Sequence, residues 1–376
     1  MKDVVVVGGG VVGLASAWLL ASRGLSVAVV EPGPLGGQSS QAAAGILGPL
    51  AESSTDGPLT RLLWASLERF PSWIAALRED APTDPEFEAK GVLRLVAPAQ
   101  AAAEQASLAW RTRYDPAVAW VEPGGTPAVP EGWAAAIWSP HEGQIHGPRY
   151  LDALLQAAVT RGVDFRVGTL AVALEQEGHR VVGVRTDRGS IRAAAVVLAA
   201  GAWSAPLAAT LGRELAVEPV RGQVLGVRAP VRPFDYVLFA PGAYVAPKAD
   251  GLLVLGATED RSGFDTRVTL AGLYTVAQRI STIAPDLLRF PFERAWSGLR
   301  PGTADGLPYL GRWPDLDGLI VATGHYRNGI LLSPITADIV AALVTGSTPP
   351  PSYDPAQFGP ARPVRKPDSP AGPAPR

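Results

Sequence analysis

Three glycines and one acid first suggest chemistry. In Gly8-Gly9-Gly10-Val11-Val12-Gly13, Gly8 permits a tight turn, Gly10 lets backbone approach a pyrophosphate, and Gly13 lets a helix pack close on a strand. The phosphates would lie at the N-terminus of the following helix, where unpaired N–H groups and the helix dipole favour anions. Glu31 stands where an acid accepts hydrogen bonds from a ribose, and its charge disfavours a 2′-phosphate, so NAD and FAD both fit. Positioning these groups requires a strand over Val4–Val7, a helix around Leu14–Ser22 that stops at Arg23-Gly24, and a second strand over Val27–Val30. The nearly uncharged run Val4–Ala21 has the look of a signal peptide or membrane span. Its glycines, Asp3 in place of a basic leader and its direct continuation into a strand argue against both.

Composition narrows the remaining chemistry. The 376 residues can bury a large core and form two domains, and 33 Lys+Arg against 35 Asp+Glu give no global field that would draw nucleic acid or anionic lipid. Absence of cysteine excludes disulfides, thiolate metal sites, a cysteine nucleophile and a flavin attached through cysteine. His141, His146, His179 and His325 form no HExxH pair, and no GxSxG elbow occurs. A metal site is not expected, and the chemistry falls to a bound cofactor acting on a small neutral or zwitterionic ligand. Nothing suggests export, so a cytoplasmic location is expected, with oligomeric state left open.

Along the chain, Gly36–Leu47 is small and glycine-rich and can lie flat against a ligand. Leu59, Leu62, Leu63, Leu67, Phe70, Trp73, Ile74 and Leu77 recur at helical spacing. Strands are expected at 91–97, 134–139, 163–167, 170–176, 181–186 and 190–193, with a helix over 150–161. A fully apolar strand at 194–199 runs into Ala200-Gly201-Ala202-Trp203-Ser204, which suits a second approach to the cofactor. Short strands at 224–228, 243–247, 252–257 and 295–299, interrupted by a helix over 270–283, predict a second, mostly antiparallel sheet. An apolar strand at 319–323 precedes a helix over 328–345, with Pro334 expected in or near its first turn. Ten prolines among residues 348–376 predict a disordered tail.

The glycine turn with Glu31 and Ser39-Ser40-Gln41-Ala42-Ala43-Ala44-Gly45-Ile46-Leu47 resembles the FAD-dependent D-amino-acid oxidase superfamily. Within it, the run from Trp296 to Gly311, including Gly298-Leu299-Arg300-Pro301-Gly302, and the run Gly324-His325-Tyr326-Arg327-Asn328-Gly329-Ile330-Leu331-Leu332 resemble the glycine oxidases of thiamine biosynthesis. The likeness spans about residues 3–345. It implies an α/β fold: a Rossmann-like FAD-binding domain from residues 1–84, 145–218 and 300–347, and a mostly antiparallel substrate domain from 85–144 and 219–299. It also implies non-covalent FAD, held by Gly8, Gly10, Val11, Val12, Gly13, Glu31, Pro32, Ser39, Ser40, Ala44, Gly45 and Ile46, with Val172 near the adenine half. His325, Tyr326, Arg327, Asn328, Gly329, Ile330 and Leu331 would line the isoalloxazine.

By the same resemblance Arg300 binds a substrate carboxylate, with Arg327 and Tyr244 beside it. A guanidinium fork matches a carboxylate, and a tyrosine hydroxyl can add a neutral hydrogen bond. The helix starting near Asn328 would direct its positive end at the flavin and favour its anionic reduced form. No acid–base residue is then required, and hydride transfer from glycine, sarcosine or a small D-amino acid would give an imine, with oxygen as acceptor. A D-amino-acid dehydrogenase, a sarcosine-type oxidase and a non-catalytic or tRNA-modifying flavin protein are competing readings. Glu259 is read either as a solvated turn acid or as a group favouring a substrate amine.

Overall fold

The four consecutive valines of β1 (Lys2–Val7) are fully or almost fully buried, as a central parallel strand covered on both faces requires. The computed structural model describes residues 1–364. In it β1 pairs in parallel with β2 (Val27–Glu31) on one side and with Gly189–Leu198 on the other. The sheet order is Tyr309–Gly311, Leu319–Thr323, Gly189–Leu198, β1, β2, Asp164–Val167. The strand expected in two pieces, 190–193 and 194–199, is one. Its first half pairs with the meander Ala171–Glu177 and Arg180–Thr186, and its second half enters the parallel sheet. Helix α1 (Val11–Ser22) follows β1, and it packs with the helices Gly147–Thr160 and Gly329–Thr345 on one face. The crevice where connections leave β1 and Gly189–Leu198 in opposite directions is where a doubly wound sheet receives a ligand.

A second sheet of eight strands takes the order Phe292–Thr303, Val217–Arg228, Leu252–Gly256, Ala243–Pro247, Val237–Ala240, Val92–Val96, Ala135–Ser139, Ala119–Val121. It is antiparallel except where Val237–Ala240 meets Val92–Val96. Its longest ladder joins Val217–Arg228 to Phe292–Thr303, with Val217 opposite Thr303, Val220 opposite Arg300 and a bulge at Gly226/Val227. Strand Phe292–Thr303 thus runs through residue 300 without a break. Helix Ala101–Tyr114 went unread in the sequence because its apolar residues follow no stripe and only Arg111 is buried.

Two segments depart from expectation. Pro334 sits in the second turn of Gly329–Thr345, beyond the first-turn positions where a missing N–H costs nothing. The gap is filled from outside the ladder. Ser333 Oγ donates to the Ile330 carbonyl (2.8 Å), and Ser66 Oγ donates to the Leu331 carbonyl (2.5 Å) while accepting from the Ile335 N–H (3.5 Å). The tail expected to be disordered from 348 instead packs through residue 364. Phe358 is fully buried, Tyr353 Oη donates to the Leu310 carbonyl (3.1 Å), and Arg362 pairs with Asp305 (2.8 Å). Proline-rich composition averages away three anchoring side chains. The remaining stretch of that expectation, 365–376, lies outside the described residues.

Candidate active site

The glycine turn is built as its spacing requires. Gly8 has φ +108° and its missing side chain leaves room for the Ala199 carbonyl, while a Cβ on Gly13 would overlap the Gly8 carbonyl oxygen. Helix α1 therefore abuts the turn, and its Val12 and Gly13 N–H groups, lacking intrahelical acceptors, are free for an anion. The Val11 N–H is taken by Ser40 Oγ (3.0 Å). Glu31 accepts from the N–H groups of Gly9 (2.8 Å) and Gly33 (3.0 Å), which hold its carboxylate at the tip of β2.

From this turn a cleft of about 530 Å³ extends across the ends of the parallel strands. Of the predicted cofactor residues, Gly8, Gly10, Val11, Val12, Glu31, Pro32, Ser39, Ser40, Val172, His325, Tyr326, Gly329 and Ile330 line it. The Ala199–Trp203 segment forms another wall, as expected of a second approach. Gly13, Ala44, Gly45, Ile46, Arg327, Asn328 and Leu331 lie behind the walls or beyond the cleft. Ala44 is nearly buried, its carbonyl held by Lys248 Nζ (2.6 Å), and Leu331 belongs to the core. The donor set fits a dinucleotide flavin: an acid at the ribose end, free helix N–H groups in the middle, and the N-terminal turn of Gly329–Thr345 at the far end.

His325 is buried and paired with Thr336 Oγ1 (3.0 Å), and burial pushes its imidazole down to about 3. It is neutral, and its Nε2 is engaged by the Thr336 hydroxyl. Tyr326 adopts φ +48°, a left-handed conformation that costs a non-glycine residue energy. That twist links strand Leu319–Thr323 to the last long helix and sends Tyr326 and Arg327 toward the second sheet.

There the three predicted substrate residues converge. Arg300 lies across Gly222, where any Cβ would collide with the guanidinium, and donates to the Thr258 carbonyl (3.0 Å). Among the described residues no carboxylate pairs with it. The ring of Tyr244 covers Gly256 in the same way. Burial raises the hydroxyl of Tyr244 above its ordinary range, partly offset by the charges of Arg300 and Arg327, so it is a neutral hydrogen-bonding group. Arg327 donates to Glu52 (3.0 Å) and faces Glu259 (3.5 Å), with its guanidinium 5.7 Å from the centre of the Phe239 ring.

Glu52 and Phe239 were not singled out in the sequence. Glu52 ends the four-residue helix Pro49–Glu52, too short to show a period, and that helix is fixed because Leu50 and Ala51 donate their N–H groups to buried Glu142. Phe239 reads as ordinary strand core. No group of His, Cys, Asp and Glu among the described residues could hold a metal ion, and no helix there is long and apolar enough to cross a membrane.

Comparison with known proteins agrees with this geometry. Residues 3–343 match the family model described as DAO, FAD dependent oxidoreductase. The chain is 39% identical over 352 residues to a glycine oxidase of Geobacillus kaustophilus, covering 91% of this chain and 92% of that one. It is 36% identical over 350 residues to a bifunctional ThiO/ThiG protein of Synechocystis, covering 91% of this chain and 51% of that protein. The crystal structure of glycine oxidase from Geobacillus kaustophilus matches with a TM-score of 0.92 at 37% identity, covering 97% of this chain and 99% of that one. The chain belongs to the DAO family of FAD dependent oxidoreductases and is an FAD-dependent amine oxidoreductase.

Proposed function

We propose that this protein oxidises glycine and similarly small amines, such as sarcosine and small D-amino acids, with non-covalently held FAD and oxygen as electron acceptor. Glycine would yield an imine that water converts to glyoxylate and ammonia, with hydrogen peroxide as co-product. The ThiO/ThiG relative supports a role in thiamine biosynthesis, with thiazole formation as the proposed step and the cytoplasm as the proposed location. The observation that carries the reading is Arg300, a guanidinium free of any carboxylate partner among the described residues, beside the neutral hydroxyl of Tyr244.

Bound FAD would supply the two-electron chemistry; the rest is positioning. Gly8, Gly10 and the first turn of α1 would hold the pyrophosphate, Glu31 the ribose, and Val172 the adenine half, with Gly13 letting the helix close on the turn. Arg300 takes the substrate carboxylate as a two-pronged, charge-assisted hydrogen bond. Tyr244 adds a third bond and excludes water with its ring. Absence of cysteine and the engagement of His325 with Thr336 favour non-covalent attachment. The test is anaerobic addition of glycine to the yellow holoenzyme. Loss of the oxidised flavin absorbance, and peroxide on admitting air, are expected; a flavin that stays oxidised with glycine, sarcosine and small D-amino acids alike overturns the proposal.

A further inference from the structure

Glu259 is held rigidly although its own side chain is half exposed. The Thr258 N–H donates to the Gln223 carbonyl (3.2 Å), and Asp260 exchanges backbone bonds with Arg221 (2.8 and 2.9 Å), which pins the segment on both sides of the acid. The Glu259 carboxylate then faces Arg327 Nη1 and the Tyr326 hydroxyl, with Thr258, the partner of Arg300, next to it in the chain. Glu52 takes the other terminal nitrogen, Nη2, of the same guanidinium. Arg327 is therefore claimed by two carboxylates, whereas Arg300 is claimed by none among the described residues. The formal charges of the cluster balance before any substrate enters. One carboxylate on Arg300 leaves an excess negative charge, which an ammonium on the same molecule cancels. A second carboxylate would meet Glu52 and Glu259 with no cation left to receive it.

We infer that Glu259 determines substrate charge: with Glu52 it neutralises Arg327, so that the site takes zwitterions bearing a single carboxylate and rejects amines carrying two. The inference rests on the proposed seating of a carboxylate at Arg300. Replacing Glu259 removes a repulsive charge and frees Arg327 Nη1 as a second carboxylate seat, so both effects act in the same direction. Attraction for the ammonium of glycine falls at the same time.

The experiment compares wild type with Glu259→Gln, which can still hydrogen-bond Tyr326, and with Glu259→Ala as a second variant. Two readouts are taken on the FAD-loaded enzyme. The first is kcat/KM for glycine and for N-carboxymethylglycine. The second is Kd for glycolate and malonate from the flavin absorbance change, which needs no turnover. In both variants the preference for glycine over N-carboxymethylglycine should fall at least tenfold, and malonate should tighten at least tenfold relative to glycolate. Unchanged ratios in either readout overturn the inference. A wild type that binds glycolate in preference to malonate but oxidises no glycine would instead defeat the proposed function and leave the charge rule to be judged by the binding ratios alone.

Discussion

Replacing Arg362 by Met tests whether the C-terminal segment is part of the scaffold behind the site. The Arg362 side chain is 3% exposed and donates to Asp305 from Nε and Nη2 (2.8 and 3.0 Å), to the Pro308 carbonyl (3.0 Å) and to the Leu307 carbonyl (2.8 Å). Its guanidinium also lies 3.9 Å from the centre of the Tyr309 ring. Methionine keeps much of the packing on Tyr309 and removes the charge. Deleting one partner of a buried pair costs about 3–5 kcal/mol, and because Asp305 is 15% exposed and can recover some water, roughly 2–4 kcal/mol is expected here. At about 1.3 °C per kcal/mol for a chain of this size, the Tm of the holoenzyme should fall by about 3–5 °C at pH 7.

The pH dependence has a definite sign. Burial raises the Asp305 carboxyl, but the hydrogen bond and charge of Arg362 and the Leu307 N–H outweigh it, so the folded-state value lies below the ordinary one. The stabilisation is thus complete above the ordinary carboxylate range, near about pH 4, and is lost as pH falls through the folded-state value. Calorimetry of wild type and variant between pH 7 and pH 3 should show the gap closing on acidification. A variant as stable as wild type at pH 7, or a gap that widens in acid, refutes the reasoning.

Arg300→Ala should raise the KM for glycine by about 30-fold to several thousand-fold, from a loss of about 2–5 kcal/mol, without releasing FAD; steady-state kinetics on holoenzyme with unchanged flavin content would show it. Glu31→Ala should weaken FAD about 10- to 100-fold, the worth of hydrogen bonds to a charged group, as measured by fluorescence titration of apoprotein. Burial pushes Glu142 up to about 8, against the backbone bonds from Leu50 and Ala51, so its folded-state value lies above its unfolded one. The wild type is then most stable below the ordinary carboxylate range and loses up to roughly 1.4 kcal/mol per pH unit as pH rises toward about 8. Glu142→Gln keeps the acceptor and should gain stability over wild type progressively between pH 5 and 8; a constant difference in Tm across that range would contradict this.

The cofactor half was legible because its signal is local: strand, turn, helix, strand and acid all fall within residues 1–31, and each glycine answers a contact inside that unit. Arg300 and Arg327 were legible through long motifs, although the elements that join them are far apart in the chain. Glu52 was hidden because its helix owes its place to the buried carboxyl group of Glu142 rather than to any period of its own. Pro334, expected in or near the first turn, sits in the second because Ser333 Oγ meets the Ile330 carbonyl it leaves without a donor, while Ser66, from another helix, bridges the neighbouring Ile335 and Leu331. The packed stretch through residue 364 escaped notice because proline content says how much chain is stiff, not which side chains find a cavity.

The ladder between Val217–Arg228 and Phe292–Thr303 has a consequence for how this site can change over time. Arg300 stands opposite Val220 and reaches over Gly222 only because every residue from Arg294 onward is in phase with its partner strand. A one-residue insertion or deletion between Arg294 and Leu299 would rotate Arg300 to the opposite face of the sheet. The bulge at Gly226/Val227 absorbs an odd residue before that stretch begins, so length variation is tolerated on its far side and forbidden on the near one. In the connection 229–236 the tip at Val231 is 79% exposed and can take an insertion, whereas Arg232 is paired with Glu88 and Phe234 and Tyr236 stack on each other. Under the proposed seating of a carboxylate at Arg300, substrate preference can therefore drift by substitution around that residue, while the strand that carries it is locked in length.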